Sequence, residues 1–146
     1  MSDDELKPAQ RAEFPVFRSL SSRWMDNDHY GHINNVIYYS YFDTAVNGWL
    51  MAQCARDIRE LPAIGLVVET RCRYFAPLSF PDAIEVGIAL ERIGRSSIIY
   101  RLGVFRAGEA AAVAVGRFVH VYVDRASRAA TEIPREIRAA LSALQG

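Results

Sequence analysis

Cysteine is scarce: Cys54 and Cys72 are the two in 146 residues. That excludes a disulfide-rich scaffold, and their separation is not a metal-ligand spacing, so both read as free thiols of a reducing compartment. An excess of either charge is also missing, since Lys plus Arg and Asp plus Glu both total 17. A nucleic-acid backbone or an anionic membrane surface would call for a basic surplus. Long apolar runs are absent too: the purest one, Ala110 to Val115, is closed by Glu109 and Arg117, far short of the roughly 20 residues of a membrane span. The opening Met-Ser-Asp-Asp-Glu-Leu-Lys is acidic and polar, where an export signal carries a basic end and an apolar stretch. These absences predict a cytoplasmic protein with neither nucleic acid nor membrane as partner.

What the chain does have is apolar patterning. At 51% hydrophobic residues it has enough material for one buried core. Residues 1–12 carry too few apolar groups to offset ordering entropy and read as a flexible tail, leaving 13–146 as a single domain. Phe14, Val16, Leu20 and Trp24 open a first strand, weakened by Ser19, Ser21 and Ser22. Tyr38, Phe42, Ala45 and Trp49, with Tyr39, Val46 and Leu50, recur at helical spacing and predict one helix over 35–53. Its narrow polar face is Ser40, Asp43, Thr44 and Asn47.

Strand patterns follow. Leu66 to Tyr74 is rich in β-branched residues; Ile84, Val86, Ile88 and Leu90 alternate with Glu85, Gly87, Ala89 and Glu91. Gly94-Arg95-Ser96 turns the chain into Ile98, Tyr100, Leu102 and Val104, and a second turn at Ala107-Gly108-Glu109 leads to Val113 to Val123. Pro134 then opens a short helix containing Ile137, Leu141 and Leu144. The order predicts an α+β fold, an antiparallel sheet of about five strands wrapped around one long central helix. In the last strand Val115, Val119, Val121 and Val123 face one way, Phe118 and Tyr122 the other. Apolar groups on both faces need more cover than one helix gives, which a homo-oligomer would supply.

The chemistry concentrates in residues 24–35, Trp-Met-Asp-Asn-Asp-His-Tyr-Gly-His-Ile-Asn-Asn, just ahead of the predicted helix. A helix N-terminus carries unpaired amides and about half a positive charge, so it can hold a carboxylate or polarise a carbonyl oxygen. Asp26, Asp28, His29 and His32 are all capable of ligating a metal, but crowding along the sequence is not convergence in space. No metal is expected.

Asp26-Asn27-Asp28 followed by Gly31, His32-Ile33-Asn34-Asn35 leading into an aromatic helix, Tyr74-Phe75-Ala76-Pro77, and Ile93-Gly94-Arg95-Ser96-Ser97 together resemble the hotdog-fold acyl-CoA thioesterases of the 4-hydroxybenzoyl-CoA thioesterase-like family. The resemblance spans about residues 14–136. It implies a sheet wrapped on a central helix and a homodimer or homotetramer with active clefts between subunits. It implies an acyl-CoA substrate, water as co-substrate and no bound cofactor. Asp28 matches the catalytic aspartate, acting as general base or as nucleophile; the competing reading is a carboxylate that caps its own turn. Amides around Asn34 and Asn35 would face the thioester carbonyl, with the Asn34 side chain an alternative helix cap. Gly31 would permit close approach or a positive φ. His32 would orient the loop or contact the carbonyl, Asp26 would order the loop, and His29 has no role. Tyr38 and Phe42 are candidates for the acyl chain, Glu69 for a polar group across the cleft, and Arg95, Ser96 and Ser97 for the coenzyme A nucleotide and pantetheine. Two alternatives stay open: a hotdog dehydratase, which would need a histidine base such as His32, and a non-catalytic acyl-CoA binding module.

Overall fold

The computed structural model describes residues 8–145. Five strands form one antiparallel sheet: β1 (Val16–Ser21), β2 (Ala63–Tyr74), β3 (Ala83–Ile93), β4 (Ser97–Arg106) and β5 (Ala114–Asp124), in the spatial order β1-β3-β4-β5-β2. The helices are α1 (Ile37–Gln53) and α2 (Arg135–Leu141). The period-two stretches supply one face of this sheet: Ile84, Val86 and Ile88 of β3 and Ile98, Tyr100, Leu102 and Val104 of β4 are all buried in the main core. Onto that face α1 turns Tyr38, Tyr41, Phe42, Ala45, Val46, Trp49 and Leu50, the three-and-four spacing of a stripe set for a single wall.

At 17 residues, α1 is shorter than the helix expected over 35–53. The difference lies at its start. The Asn34 Oδ1 accepts from the Val36 amide at 3.1 Å and the Asn34 carbonyl from the Ile37 amide at 2.9 Å, so residues 34–36 form a turn that competes with helical geometry. Among the described residues, no helix is long and apolar enough to cross a membrane.

The opposite face of the sheet is covered in part by the N-terminal segment, which corrects the expected tail through residue 12. Ala9 is fully buried, and Phe14 joins Phe105, Ala112 and Val115 in a second core cluster. Phe14 lies over Gly87 and Gly103, which face each other across β3 and β4. A Cβ on either glycine would come within 2.7 Å of the Phe14 ring, so the pair leaves a slot that no larger residue would allow. The Arg11 amide donates to the Ala110 carbonyl at 2.8 Å, and its guanidinium pairs with Glu85 and lies over Phe17 and Phe105. A few well-placed contacts fix this segment where average composition predicted fraying. Residues 1–7 of the expected tail lie outside the described residues.

β2 is an edge strand of the sheet. One side pairs with β5 over its whole length, with a bulge between Val67 and Glu69. Among the described residues no strand pairs with its other side, although Leu66, Val67 and Val68 are exposed there.

Candidate active site

The loop between β1 and α1 is built from the inside outward. Asp26 is fully buried. Its carboxylate accepts from the Arg23 amide at 2.9 Å, the Arg23 Nε at 3.0 Å and the Tyr41 hydroxyl at 2.8 Å. Burial opposes ionisation, but these hydrogen bonds outweigh it and hold the carboxyl below the ordinary aspartate value. The Asp26 carbonyl accepts from the Asn34 amide at 2.9 Å, so Asp26 holds both ends of the loop, the first through its carboxylate and the second through its backbone. Asp26 has the loop-ordering role expected of it.

Between these ends the chain closes as a small hairpin. Asn27 bridges to Ile33, the Asp28 amide donates to the His32 carbonyl at 2.8 Å, and the Gly31 amide donates to the Asp28 carbonyl at 3.0 Å. Gly31 sits at φ +84°, and a Cβ added there would meet nothing within 4 Å, so the backbone angle calls for glycine and crowding from this chain does not. The hairpin docks on the segment after β2: Ile33 amide to Leu78 carbonyl at 2.7 Å, Ser79 hydroxyl to Gly31 carbonyl at 2.8 Å, and Phe80 amide to Asn27 Oδ1 at 3.0 Å.

The outward side of the loop opens onto a cavity of about 310 Å³ lined by Asp28, His32, Ile33, Asn35, Tyr38, Tyr74 and Phe75 to Pro77. Asp28 Oδ1 accepts from the Tyr30 amide at 2.9 Å and the His32 amide at 3.4 Å. The carboxylate therefore orders its turn and lines the cavity at once, and both amides fall on the same oxygen. The start of α1 stands beside it, with no acidic residue in the first turn to offset the positive end. Tyr74 donates its hydroxyl to the Asn35 carbonyl at 2.7 Å. The Tyr38 ring meets Tyr74 edge to face at 4.9 Å, and burial pushes the Tyr38 phenol up to about 12. The cavity wall thus carries the aromatic rings of Tyr38, Tyr74 and Phe75 beside one carboxylate and one imidazole.

Asp28, His32, Asn35 and Tyr38 of the expected site come together, and Gly31 lies in the same loop. Asn34 flanks it: its amide is taken by Asp26, and its side chain caps the amide of Val36. His29 is exposed and stacks on Tyr30 at 4.0 Å. Phe42 is fully buried in the core. Four candidates lie elsewhere in this chain. Glu69 is exposed on the β2 edge, past the bulge. Arg95 and Ser96 occupy the β3–β4 turn and Ser97 opens β4, at the end of the sheet opposite Tyr74, with Arg95 exposed and 3.5 Å from Glu132. Tyr74 and Phe75 belong to a motif that sequence reasoning gives no place in the site. The proline at 77 just past them is the signal, because it ends the strand where the loop must dock.

The family model described as "Thioesterase-like superfamily" matches residues 22–141. Among solved structures, the chain is similar to the PA5185 protein from Pseudomonas aeruginosa strain PAO1, at 48% identity over 96% of this chain and 98% of that one, with a TM-score of 0.92. A thioesterase complexed with coenzyme A and zinc from Thermus thermophilus is 28% identical over 91% of this chain and 96% of that one, with a TM-score of 0.74. Slr0204, a 1,4-dihydroxy-2-naphthoyl-CoA thioesterase from Synechocystis, is 16% identical over 89% and 97% of the two chains, with a TM-score of 0.80, a likeness of fold. No curated protein matches the chain.

Proposed function

The chain belongs to the thioesterase-like superfamily, and from that premise we propose that it hydrolyses an acyl-CoA to the free carboxylic acid and coenzyme A, with one catalytic domain that takes in the segment from Ala9 onward. The observation that carries the reading is the placement of Asp28 and Asn35 on one cavity beside the positive end of α1. Asp28 acts on the thioester carbon, directly or through a water it deprotonates. Either route turns the carbonyl oxygen into an oxyanion, so donors must lie where that charge develops. The Asn35 amide and the helix end are those donors. His32 and Tyr38 position the thioester, and Gly31 sets the turn that presents Asp28.

The split between the two ends of the sheet has an explanation in assembly. A twelve-residue edge strand whose outer side pairs with no other strand among the described residues, with exposed Leu66, Val67 and Val68, invites pairing with a second copy. Antiparallel pairing of β2 with its twin in a homodimer sets the Arg95 end of one protomer beside the Asp28 end of the other. Arg95, Ser96 and Ser97 then meet the coenzyme A of the partner's site, and Glu69 faces the shared cleft. A homotetramer would pair two such dimers. The protein works in the cytoplasm, where acyl-CoA is made.

The test is thiol release by the purified chain across aromatic, short-chain and long-chain acyl-CoAs. Release above the uncatalysed rate for at least one class is expected. Absence of release from all three, with coenzyme A thioesters still bound, would favour the binding-module reading and remove this one.

A further inference from the structure

The two peptides that flank Asn35 have four polar ends, and three of them are held. The Asn34 carbonyl accepts from the Ile37 amide at 2.9 Å, the Val36 amide donates to the Asn34 Oδ1 at 3.1 Å, and the Asn35 carbonyl accepts from the Tyr74 hydroxyl at 2.7 Å. The fourth end, the Asn35 amide, has no acceptor among the described residues. A trans peptide is planar, with its N–H and C=O pointing in opposite directions, so fixing one end directs the other. The Asn34 carbonyl is taken up by the helix start, which turns the Asn35 amide away from α1, and Asn35 lines the Asp28 cavity.

The helix passes the Asn35 carbonyl over. A regular α-helix would pair it with the Tyr39 amide, but that amide donates to the Val36 carbonyl at 3.3 Å. A bare carbonyl dipole in this wall would oppose the negative charge that the neighbouring amide stabilises, and Tyr74 takes that carbonyl up. Two of the three ties are made by Asn34 within the turn, whereas the third comes from the sheet. Tyr74 closes β2 opposite Ala114, and the next two amides both donate to the Val113 carbonyl, at 2.8 and 3.2 Å. The Tyr38 ring meets it edge to face, and its hydroxyl stands near the Cys72 and Tyr39 side chains. Burial holds the phenol well above its ordinary value, so the hydroxyl remains a donor at any working pH.

We propose that Tyr74 is a positioning residue for thioester cleavage: its hydroxyl, anchored on the sheet, locks the Asn35–Val36 peptide and so keeps the Asn35 amide turned to the thioester oxygen. The inference rests on the hydrolytic reading of the Asp28 cavity. Tyr74 acts through Asn35 and not on the reacting atoms. The donor it steadies matters most when the oxyanion forms, so its loss should appear in kcat and spare substrate affinity.

Tyr74→Phe keeps the ring and its contact with Tyr38 and removes the hydroxyl. In the full chain, kcat on whichever of benzoyl-, butyryl- and palmitoyl-CoA the wild type cleaves should fall by about 10- to 100-fold, with KM within about threefold. A role confined to packing leaves kcat within about twofold of wild type, which overturns the proposal, as does a change in KM alone. A second readout needs no turnover. Ketone analogues of the three substrates, with a methylene in place of the sulfur and ¹³C at the carbonyl, are bound to both proteins. The carbonyl resonance should move downfield in the wild type and by at most about half as much in the variant. No downfield shift with any analogue in the wild type overturns the proposal. A shift that the variant weakens, without thiol release from any substrate by the wild type, sustains Tyr74 and removes hydrolysis alone. Thiol release with equal shifts in both proteins removes the Tyr74 inference and leaves hydrolysis standing. If the variant does not fold, proton spectra of the wild type decide. On binding an analogue the Asn35 amide proton should move downfield while the Tyr74 hydroxyl proton stays protected from exchange; an amide that does not move, or a hydroxyl that loses protection, overturns the proposal.

Discussion

Tyr41→Phe removes a single oxygen from the core of the loop anchor. Tyr41 is 6% exposed, and its hydroxyl donates to the Asp26 carboxylate at 2.8 Å. The ring still fills its place in the variant, so the loss is that of one hydrogen bond to a buried charged acceptor, about 1.5–3 kcal/mol. For a chain of this size that corresponds to roughly 3–12 °C in Tm. The sign with pH follows from Asp26, whose carboxyl lies below the ordinary 3.8 in the folded protein. Its stabilisation is present above the unfolded value and is lost as pH falls through the folded one. Removing the Tyr41 donor raises the folded value toward the unfolded one, so the variant has less pH-dependent stability to lose and its acid limb should be shallower than that of wild type. Below the folded values of both proteins the gap should narrow. Thermal unfolding followed by circular dichroism between pH 7 and pH 3 measures both effects. Because the Asp26 carbonyl also holds the Asn34 amide, kcat/KM should fall by about tenfold as the loop loosens. A variant within about 1 °C of wild type at pH 7, with a parallel acid limb, would refute this reasoning.

Gly31→Ala forces a side chain onto a φ of +84° in open space; the cost should be about 1–2 kcal/mol in urea unfolding, and a neutral substitution would mean that the loop adopts another backbone. Phe14→Ala empties the slot over Gly87 and Gly103 and should cost about 3–5 kcal/mol by the same measurement; less than about 1 kcal/mol would show that the N-terminal segment is not held by this ring. Val68→Glu puts a charge on the exposed β2 edge and should yield monomers in sedimentation velocity with thiol release abolished. An unchanged sedimentation coefficient would exclude that edge as the interface.

The fold was readable where periodicity was strong. The β3 and β4 alternation and the α1 stripe each turned one set of residues toward the core, as their spacing implied. The boundaries were less legible, because they depend on side chain to backbone bonds such as the one from the Val36 amide to Asn34. The packing of Ala9 and Phe14 was hidden for a different reason: it depends on two glycines far downstream in sequence, Gly87 and Gly103, that come into register only when β3 and β4 pair. In the candidate site, the motif carried Asp28, His32 and Asn35 to one cavity, whereas Glu69 and Arg95 to Ser97 fall elsewhere in the single chain. Sequence spacing along one chain carries no information about which end of a second copy stands beside it.

The central claim is that the Asp28 carboxylate performs the cleavage. Single-turnover thiol release by Asp28→Asn, with substrate binding and unfolding measured on the same preparation, tests it most directly. The amide keeps an oxygen for the Tyr30 and His32 amides, so fold, assembly and affinity should persist while the rate falls by about a thousandfold or more. Release within a few-fold of the wild-type rate, from a variant that binds and folds normally, would contradict the account.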